Sequence, residues 1–206
     1  MQDFNSSAIS ARVQGAGINK TKFPSIWVRL GIEGTNLIKS HSLFIRLAAK
    51  ITISDGQVRF EKASDERLYD RLQKSSWITA WDLTIDSFTT QKEPNVERRS
   101  LKGSLRRVLM HNQPSYPMNL ATLAGRVIQV REEGEWVRFG MSYLNPKATG
   151  TNKWPRRYGK LYVPPGVTPR MVLGHDYFIQ GSFIGKDFEG NDDLIVVVNQ
   201  VCQGSA

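Results

Sequence analysis

The chain has 206 residues, of which 40% are hydrophobic and 23% are charged, and its formal net charge is +9. This length accommodates one large domain or two domains of about 100 residues each, and no apolar run approaches the roughly 20 residues that span a bilayer. The single cysteine excludes an internal disulfide, and with only three scattered histidines we expect neither a metal nor another cofactor.

The first residues of the chain, 1–7, contain neither a basic segment nor an apolar core. A secretory signal is therefore not expected. We expect the protein in the cytoplasm.

Alternating apolar residues predict strands in the first half of the chain, at 26–32 and again at 43–53. Asp55-Gly56 predicts a two-residue hairpin turn, because both central positions of that turn require a positive φ. Ser64-Asp65 is expected to cap a short helix over residues 66–74, with Leu68, Tyr69 and Leu72 at helical spacing. A strand-rich run follows at 76–88.

The middle of the chain, residues 91–117, is basic, with six lysines and arginines against two glutamates. Its apolar residues fit either a helix stripe or the last strand of the first half, and both alternatives stay open: Leu101, Leu105, Val108 and Leu109. Pro114 and Pro117 suggest a boundary. We therefore predict one domain over residues 1–113, with a basic connecting segment at about 91–113, and a second domain over residues 114–206.

The second half repeats part of the first. Ile-Trp-Val-Arg-Leu-Gly-Ile at 26–32 recurs as Glu-Trp-Val-Arg-Phe-Gly-Met at 135–141. Strands are predicted at 120–130, 135–144, 158–163, 177–186 and 194–201, with Gly190-Asn191 turning between the last two. The recurrence predicts two related five-stranded units in a mainly β protein.

The alternation also assigns the two faces of the recurring strands. With Val28 and Leu30 directed inward, Trp27 and Arg29 point outward together. The same reasoning places aromatic and cationic side chains on the outer face of three further strands, at Phe44, Arg46, Trp136, Arg138, Tyr158, Lys160 and Tyr162. Aromatic rings interleaved with cations suit single-stranded nucleic acid, since bases stack on the rings and phosphates attract the cations.

The predicted nucleic-acid contacts include these side chains and a basic loop at 146–157. The full set is Trp27, Arg29, Phe44, Arg46, Lys50, Trp77, Trp81, Arg106, Arg107, Trp136, Arg138, Lys153, Trp154, Arg156, Arg157, Tyr158, Lys160 and Tyr162. The competing interpretation places the rings under loops or in an interface, where large amphipathic side chains often lie. No catalytic residue is predicted.

Four segments resemble the bacterial and phage single-stranded DNA-binding proteins. Residues 118–127, which contain Asn-Leu-Ala-Thr-Leu-Ala-Gly-Arg, resemble the opening strand of that family, and 135–144 and 158–163 stand where its second and third strands do. Residues 68–76 are similar to its short helix and the exit from it. The resemblance implies two tandem five-stranded OB-fold barrels with short helices, which coat single-stranded DNA with little sequence preference in DNA replication, recombination or repair.

The chain departs from this family in three ways. It carries two units where the family's usual protein has one and forms tetramers, so a homo-dimer or another homo-oligomer is expected. It ends without an acidic tail, so replication or recombination proteins are not expected to bind by that route. Its first unit shows no valine-rich fifth strand to match 194–198. A phage, a plasmid or a cell are all compatible sources.

Other classes of function have weaker motifs. Gly-Ser-Phe-Ile-Gly-Lys at 181–186 is one residue short of a phosphate-binding loop, and Gly15-Ala16-Gly17 lacks the third glycine of a dinucleotide site. Asp192-Asp193 suits a turn better than a magnesium site. An OB-fold module that is a replication accessory or binds another protein stays an alternative. RNA stays an alternative to DNA as the ligand, because stacking rings do not read the 2′-hydroxyl.

Overall fold

The computed structural model describes residues 4–20, 24–34, 40–88, 98–131, 136–142, 156–186 and 192–204. In this part of the chain the protein is mainly β, with thirteen strands, one α-helix and one short 3-10 turn. Neither helical segment found there has the length and apolar character needed to cross a membrane.

The chain forms two compact units. The N-terminal unit comprises residues 8–84 and 100–119, and the C-terminal unit comprises residues 1–7, 85–99 and 120–206. The division falls inside strands, since β1 (Phe4–Asn19) and β6 (Trp77–Phe88) each contribute residues to both units. The domain boundary between residues 113 and 114 stays a prediction.

The N-terminal unit is built from β1, β6 and eight further elements. These are β2 (Ser25–Ile32), β3 (His41–Ala48), β4 (Ile51–Ser54), β5 (Gln57–Phe60), α1 (Ala63–Lys74), β7 (Arg98–Ser104), the 3-10 turn (Leu105–Arg107) and β8 (Val108–His111). The strand order is β1-β2-β3-β7-β6, and β6 pairs with β1 as well, so every strand of this order has two neighbours. The pairing of β3 with β7 is parallel.

The C-terminal unit repeats this pairing scheme. Its strands are β9 (Met118–Val130), β10 (Trp136–Ser142), β11 (Arg156–Tyr162), β12 (Asp176–Lys186) and β13 (Asp192–Gln203). The order is β9-β10-β11-β13-β12 with a further neighbour relation between β12 and β9, and β11 pairs with β13 in parallel. If the β4–β5 hairpin and β8 are left aside, the N-terminal unit has five strands in chain order, namely β1, β2, β3, β6 and β7. In both units the third of the five strands then pairs with the fifth, and the first pairs with the second and the fourth.

Close backbone approach in the C-terminal unit depends on glycine. A Cβ added at Gly125 in β9 would overlap the carbonyl oxygen of Gly140 in β10, and one at Gly181 in β12 would overlap that of Val197 in β13. These glycines let neighbouring strands cross closely, which is a recognised use of glycine within strands.

β1 is the element that the sequence analysis missed. Its inward side is lined by small or polar residues beside one large apolar side chain, since Asn5, Ser7, Ile9 and Ala11 are all buried. Hydrophobic alternation is therefore weak over this strand, although it pairs with both β2 and β6.

The open choice in the middle of the chain is settled in favour of a strand. β7 runs over Arg98–Ser104 with Leu101 buried, and Leu105 is buried in the 3-10 turn that follows. A Cβ at Gly103 would lie 2.6 Å from Cδ2 of Leu83, so β7 packs closely against Leu83 at a glycine. This fifth strand of the N-terminal unit is not rich in valine, unlike residues 194–198 of the C-terminal unit.

The hairpin turn at Asp55-Gly56 is confirmed, with φ values of 52° and 75°. The predicted cap of α1 is wrong. The helix begins at Ala63 after Lys62, which makes no side-chain cap, while Asp65 is buried and accepts hydrogen bonds from Arg106. Burial and the negative charge of Asp70 raise the pKa of the Tyr69 phenol on this helix.

Arg99, whose part of β7 belongs to the C-terminal unit, is bound to two strands of that same unit through an almost buried ion pair and a hydrogen bond. Nη1 of Arg99 lies 2.7 Å from Oδ2 of Asp193 in β13, and both side chains are about one-tenth exposed. Nε of Arg99 donates to the carbonyl oxygen of Tyr158 in β11, and its backbone N–H donates to Asp193. Arg99 thus holds β11 and β13 from one side.

Replacing Arg99 by glutamine should lower the free energy of unfolding by about 3–5 kcal/mol, because the carboxylate of Asp193 would stay buried without its charged partner. Arg107→Gln is the matched control, since Arg107 and Asp82 form an ion pair 3.4 Å long between two exposed side chains. That change should cost about 0–1 kcal/mol. Urea unfolding of both variants checks the prediction, and equal losses would contradict it.

Candidate nucleic-acid interface

The outer faces of β2 and β3 carry the first aromatic and cationic surface. Burial alternates along β2, with Ile26, Val28, Leu30 and Ile32 in the core and Trp27 and Arg29 on the other side. In the register of the two strands, Trp27 is paired with Arg46 and Arg29 with Phe44. We call the four side chains Trp27, Arg29, Phe44 and Arg46 the first platform.

The side chains of the first platform contact one another. The ring centroids of Trp27 and Phe44 are 6.5 Å apart at an interplanar angle of 57°, and the guanidinium of Arg29 lies 5.8 Å from the centre of the Phe44 ring. Phe44 is 50% exposed. Nε of Arg46 donates to the hydroxyl of Ser100 at 3.0 Å, which orients its guanidinium on the sheet.

The outer faces of β10 and β11 carry an equivalent surface in the C-terminal unit. Val137, Phe139 and Met141 are buried, and the intervening residues Trp136 and Arg138 lie on the opposite side. Trp136 is paired with Tyr162 and Arg138 with Lys160 across the two strands. We call Trp136, Arg138, Tyr158, Lys160 and Tyr162 the second platform.

Cations lie against aromatic rings in the second platform too. The rings of Trp136 and Tyr162 are 5.3 Å apart at 56°. The guanidinium of Arg138 lies 4.5 Å from the centre of the Tyr158 ring, and the ammonium of Lys160 lies 4.9 Å from that of Trp136. Cations over ring faces are attracted by the ring quadrupole.

The two copies of Trp-x-Arg occupy the same place in the two pairing schemes. β2 and β10 are the second strands of their units, and β3 and β11 are the third strands. The predicted outward direction of both motifs is confirmed by the burial of their neighbours.

Several other predicted contact residues do not belong to either platform. Trp77 is buried and its indole N–H donates to the hydroxyl of Ser10 at 2.9 Å. Arg106 is bound to the buried carboxylate of Asp65, and Arg107 is paired with Asp82. Lys50 is exposed beside Glu61, and Trp81 is half-buried in β6. A role for these residues in nucleic-acid binding stays a prediction.

Part of the predicted site lies outside the described residues. Lys153, Trp154 and most of the basic loop at 146–157 fall there. For Arg156 and Arg157 the backbone lies in β11, next to β10.

The competing enzymatic motifs have structural explanations. Gly15-Ala16-Gly17 lies within β1, and Gly181 lies within β12, so neither forms a phosphate-binding loop. Asp193 binds Arg99. Within the ranges that the structure describes, no three histidine, cysteine, aspartate or glutamate side chains are grouped to hold a metal ion.

Sequence reasoning missed the glycines that support Trp27. Its indole ring lies over Gly15 and Gly17 of the neighbouring strand β1. Two glycines at alternate positions could have signalled a face that receives an aromatic side chain, had the sequence first identified β1 as a strand.

Comparison with known proteins identifies the fold. No protein-family model matches the sequence, and no curated protein sequence matches it. The single-stranded DNA-binding protein of Thermus aquaticus matches with a TM-score of 0.61 at 11% identity, over 100% of this chain and 95% of the other. A variant of that protein with a deletion and one substitution matches with a TM-score of 0.63, also at 11% identity, over 100% and 96%. The resemblance to single-stranded DNA-binding proteins is thus confirmed for the fold.

The different surroundings of Trp77 and Trp27 predict different effects on stability. Trp77→Ala should lower the free energy of unfolding by about 3–5 kcal/mol, because it empties a buried site and removes the hydrogen bond that the indole N–H donates to Ser10. Trp27→Ala removes a half-exposed ring and should cost clearly less. Urea unfolding of the two variants is the measurement, and a larger loss for Trp27→Ala would contradict the assignment of faces.

Proposed function

We propose that this protein binds and coats single-stranded DNA with little sequence preference. The observation that carries the proposal is the repetition of one aromatic and cationic platform on equivalent strands of both units. The first platform offers Trp27 and Phe44 beside two arginines, and the second offers three rings beside Arg138 and Lys160.

The chemistry of these platforms matches unpaired nucleotides. Every base has a π-face, and stacking on an aromatic side chain is worth about 1–3 kcal/mol per base. The neighbouring cations are placed to attract phosphates once a base lies on the ring, and each neutralised phosphate releases counterions. In a duplex the base faces are already stacked on one another. The platforms therefore favour a single strand, without requiring any particular base.

We also propose that each cycle of paired strands is a five-stranded OB-fold barrel. The pairing of the first strand with both the second and the fourth, and the parallel pairing of the third with the fifth, supports closure of each cycle. The similarity in fold to the single-stranded DNA-binding protein of Thermus aquaticus adds support. The tandem arrangement would let one chain provide two binding units.

In this proposal the protein protects or organises single strands during replication, recombination or repair, without a catalytic step. The net charge of +9 favours a polyanionic partner over a basic or neutral one. Assembly into a homo-dimer or another homo-oligomer would extend the coated length of DNA, and replication or recombination proteins are further proposed partners.

Titration with oligonucleotides of equal length tests the proposal. Oligothymidine should quench the tryptophan emission, because rings that stack on bases lose fluorescence, and it should bind far more tightly than duplex DNA at moderate salt. An RNA oligonucleotide of the same length shows whether the sugar matters. Equal affinity for duplex DNA would refute the single-strand proposal, and no binding to any oligonucleotide would favour a protein-interaction module.

The salt dependence of the affinity in the same titration shows whether lysines and arginines contact phosphates. The logarithm of the affinity should fall linearly with the logarithm of the salt concentration, with a slope near 0.7 per phosphate neutralised. An affinity that does not change with salt would contradict a role for the platform cations.

The effect of removing a platform tryptophan on the affinity should depend on the length of the oligonucleotide. On a long strand that engages both units, Trp27→Ala and Trp136→Ala should each cost about 1–3 kcal/mol of binding free energy. On a strand too short for both, only one of the two changes should matter, because the strand occupies the better unit. Affinity measured for both variants at both lengths checks this prediction.

Tyr116→Ala serves as the control for loss of an aromatic side chain. Tyr116 is 87% exposed and lies in the irregular segment after β8, on no strand of either platform. Its affinity should equal that of the unchanged protein at both lengths. If Tyr116→Ala weakens binding as much as the platform changes do, the rings on the sheets are not specific contacts.

A further inference from the structure

Two glycines stand in the interior of β1, where glycine is unfavourable. A glycine within a strand is less favourable than an alanine, because it loses more conformational freedom on folding. Gly15 and Gly17 do not have positive φ values, since the positive-φ glycines of the described chain are Gly56, Gly166 and Gly174. The backbone of β1 therefore does not require glycine at these positions, and another reason is needed.

The reason is the side chain of Trp27. Gly17 is paired directly with Trp27 across β1 and β2, and Gly15 is paired with Arg29. A Cβ added at Gly17 would lie 2.7 Å from Cζ2 and 2.8 Å from Cε2 and Nε1 of the Trp27 ring. One added at Gly15 would lie 3.7 Å from Cζ3 and 3.8 Å from Cη2, which is ordinary van der Waals contact. The ring thus covers both residues and lies against the backbone at Gly17.

We propose that Gly17 is a positioning residue of the nucleic-acid-binding surface, which holds the indole of Trp27 flat on β1 and leaves its other face for a base. This inference rests on the proposed function. With one face of the ring closed by the β1 backbone, a base can stack only from the outer side. A ring that is already ordered loses less entropy on binding than a free one, so preorganisation raises affinity.

The second platform orders its tryptophan differently. Opposite Trp136 lies Arg131, the residue that follows β9, and its backbone N–H donates to the carbonyl oxygen of Trp136 at 3.1 Å. There the ring is flanked by Lys160 and Tyr162, at 4.9 and 5.3 Å. Support by glycine is therefore a property of the first platform, and a change at Gly17 should leave the second platform intact.

Gly17→Ala tests the role of this glycine. The new methyl group cannot coexist with the ring at 2.7 Å, so the ring must shift away from the backbone of β1. On a short oligothymidine, the affinity of a Trp136→Ala background, in which only the first platform carries its tryptophan, should fall at least about fivefold. Thermal stability should change little, because alanine favours the strand while the displaced ring loses its contact with β1.

A third glycine on the same outer face provides the matched control. A Cβ at Gly31 would meet only the flexible side chain of Gln14, whose Nε2 lies 2.7 Å away, and that side chain can move. Gly31→Ala should therefore bind as tightly as its background. Equal losses in Gly17→Ala and Gly31→Ala would overturn the assignment to Gly17.

A double-mutant cycle shows whether Gly17 acts through Trp27. In the Trp27→Ala background, Gly17→Ala should cause no further loss of affinity, since the ring that it displaces is already gone. An equal fold-loss with and without Trp27 would overturn the proposal, because it would show that the methyl group disturbs the surface directly.

A measurement without DNA separates this inference from the proposed function. The α-protons of Gly17 lie under the indole ring, so their NMR signals should be shifted upfield by the ring current in the unchanged protein and return to ordinary positions in Trp27→Ala. Ordinary shifts in the unchanged protein would overturn the inference, whatever the DNA titration shows. Upfield shifts in a protein that binds no single-stranded DNA would instead overturn the proposed function.

Discussion

The alternation of side chains along a strand is the constraint on which both the core and the candidate interface depend. Burial of Val28 and Leu30 on one side of β2 forces Trp27 and Arg29 to the other side, and burial of Val137 and Phe139 does the same for Trp136 and Arg138. Core and interface are therefore two sides of the same strands. A register slip by one residue would exchange them, so stability itself protects the exposure of the platforms.

Burial divides the basic residues into structural and surface groups. Arg99 is almost buried and joins three strands through Asp193 and the carbonyl of Tyr158. Arg106 forms an ion pair with the buried carboxylate of Asp65, which lies in the first turn of α1. The cations on the platforms lie against aromatic rings, as Arg29 does with Phe44. The cations behind the net charge of +9 therefore do not all belong to a binding surface, because some of them form ion pairs that stabilise the fold.

The two units share one scheme of strand pairing, but they differ in a connection between strands and in the residues that support the recurring tryptophans. The third and fourth strands are joined in the N-terminal unit by a hairpin and α1, whose Leu72 is fully buried, and in the C-terminal unit by an irregular segment at 163–175 with Met171 buried. The recurring tryptophans are also supported differently, by glycine backbone in one case and by side chains in the other. The pairing scheme constrains which positions face outward, and it leaves the residues around them free to vary.

Local patterns in the sequence were sufficient for most strands, for the Asp55-Gly56 turn and for the outer faces of β2, β3, β10 and β11, since period-two alternation and turn chemistry are properties of neighbouring residues. They were not sufficient for β1, whose inward positions Asn5 and Ser7 are polar and which is a strand because β2 and β6 pair with its backbone. Trp77 and Trp27 are the same residue type, and both were predicted to bind nucleic acid. Only the tertiary structure separates them, because whether a ring is covered depends on side chains distant in the chain, such as Ser10 for Trp77, and on the backbone of Gly17 for Trp27.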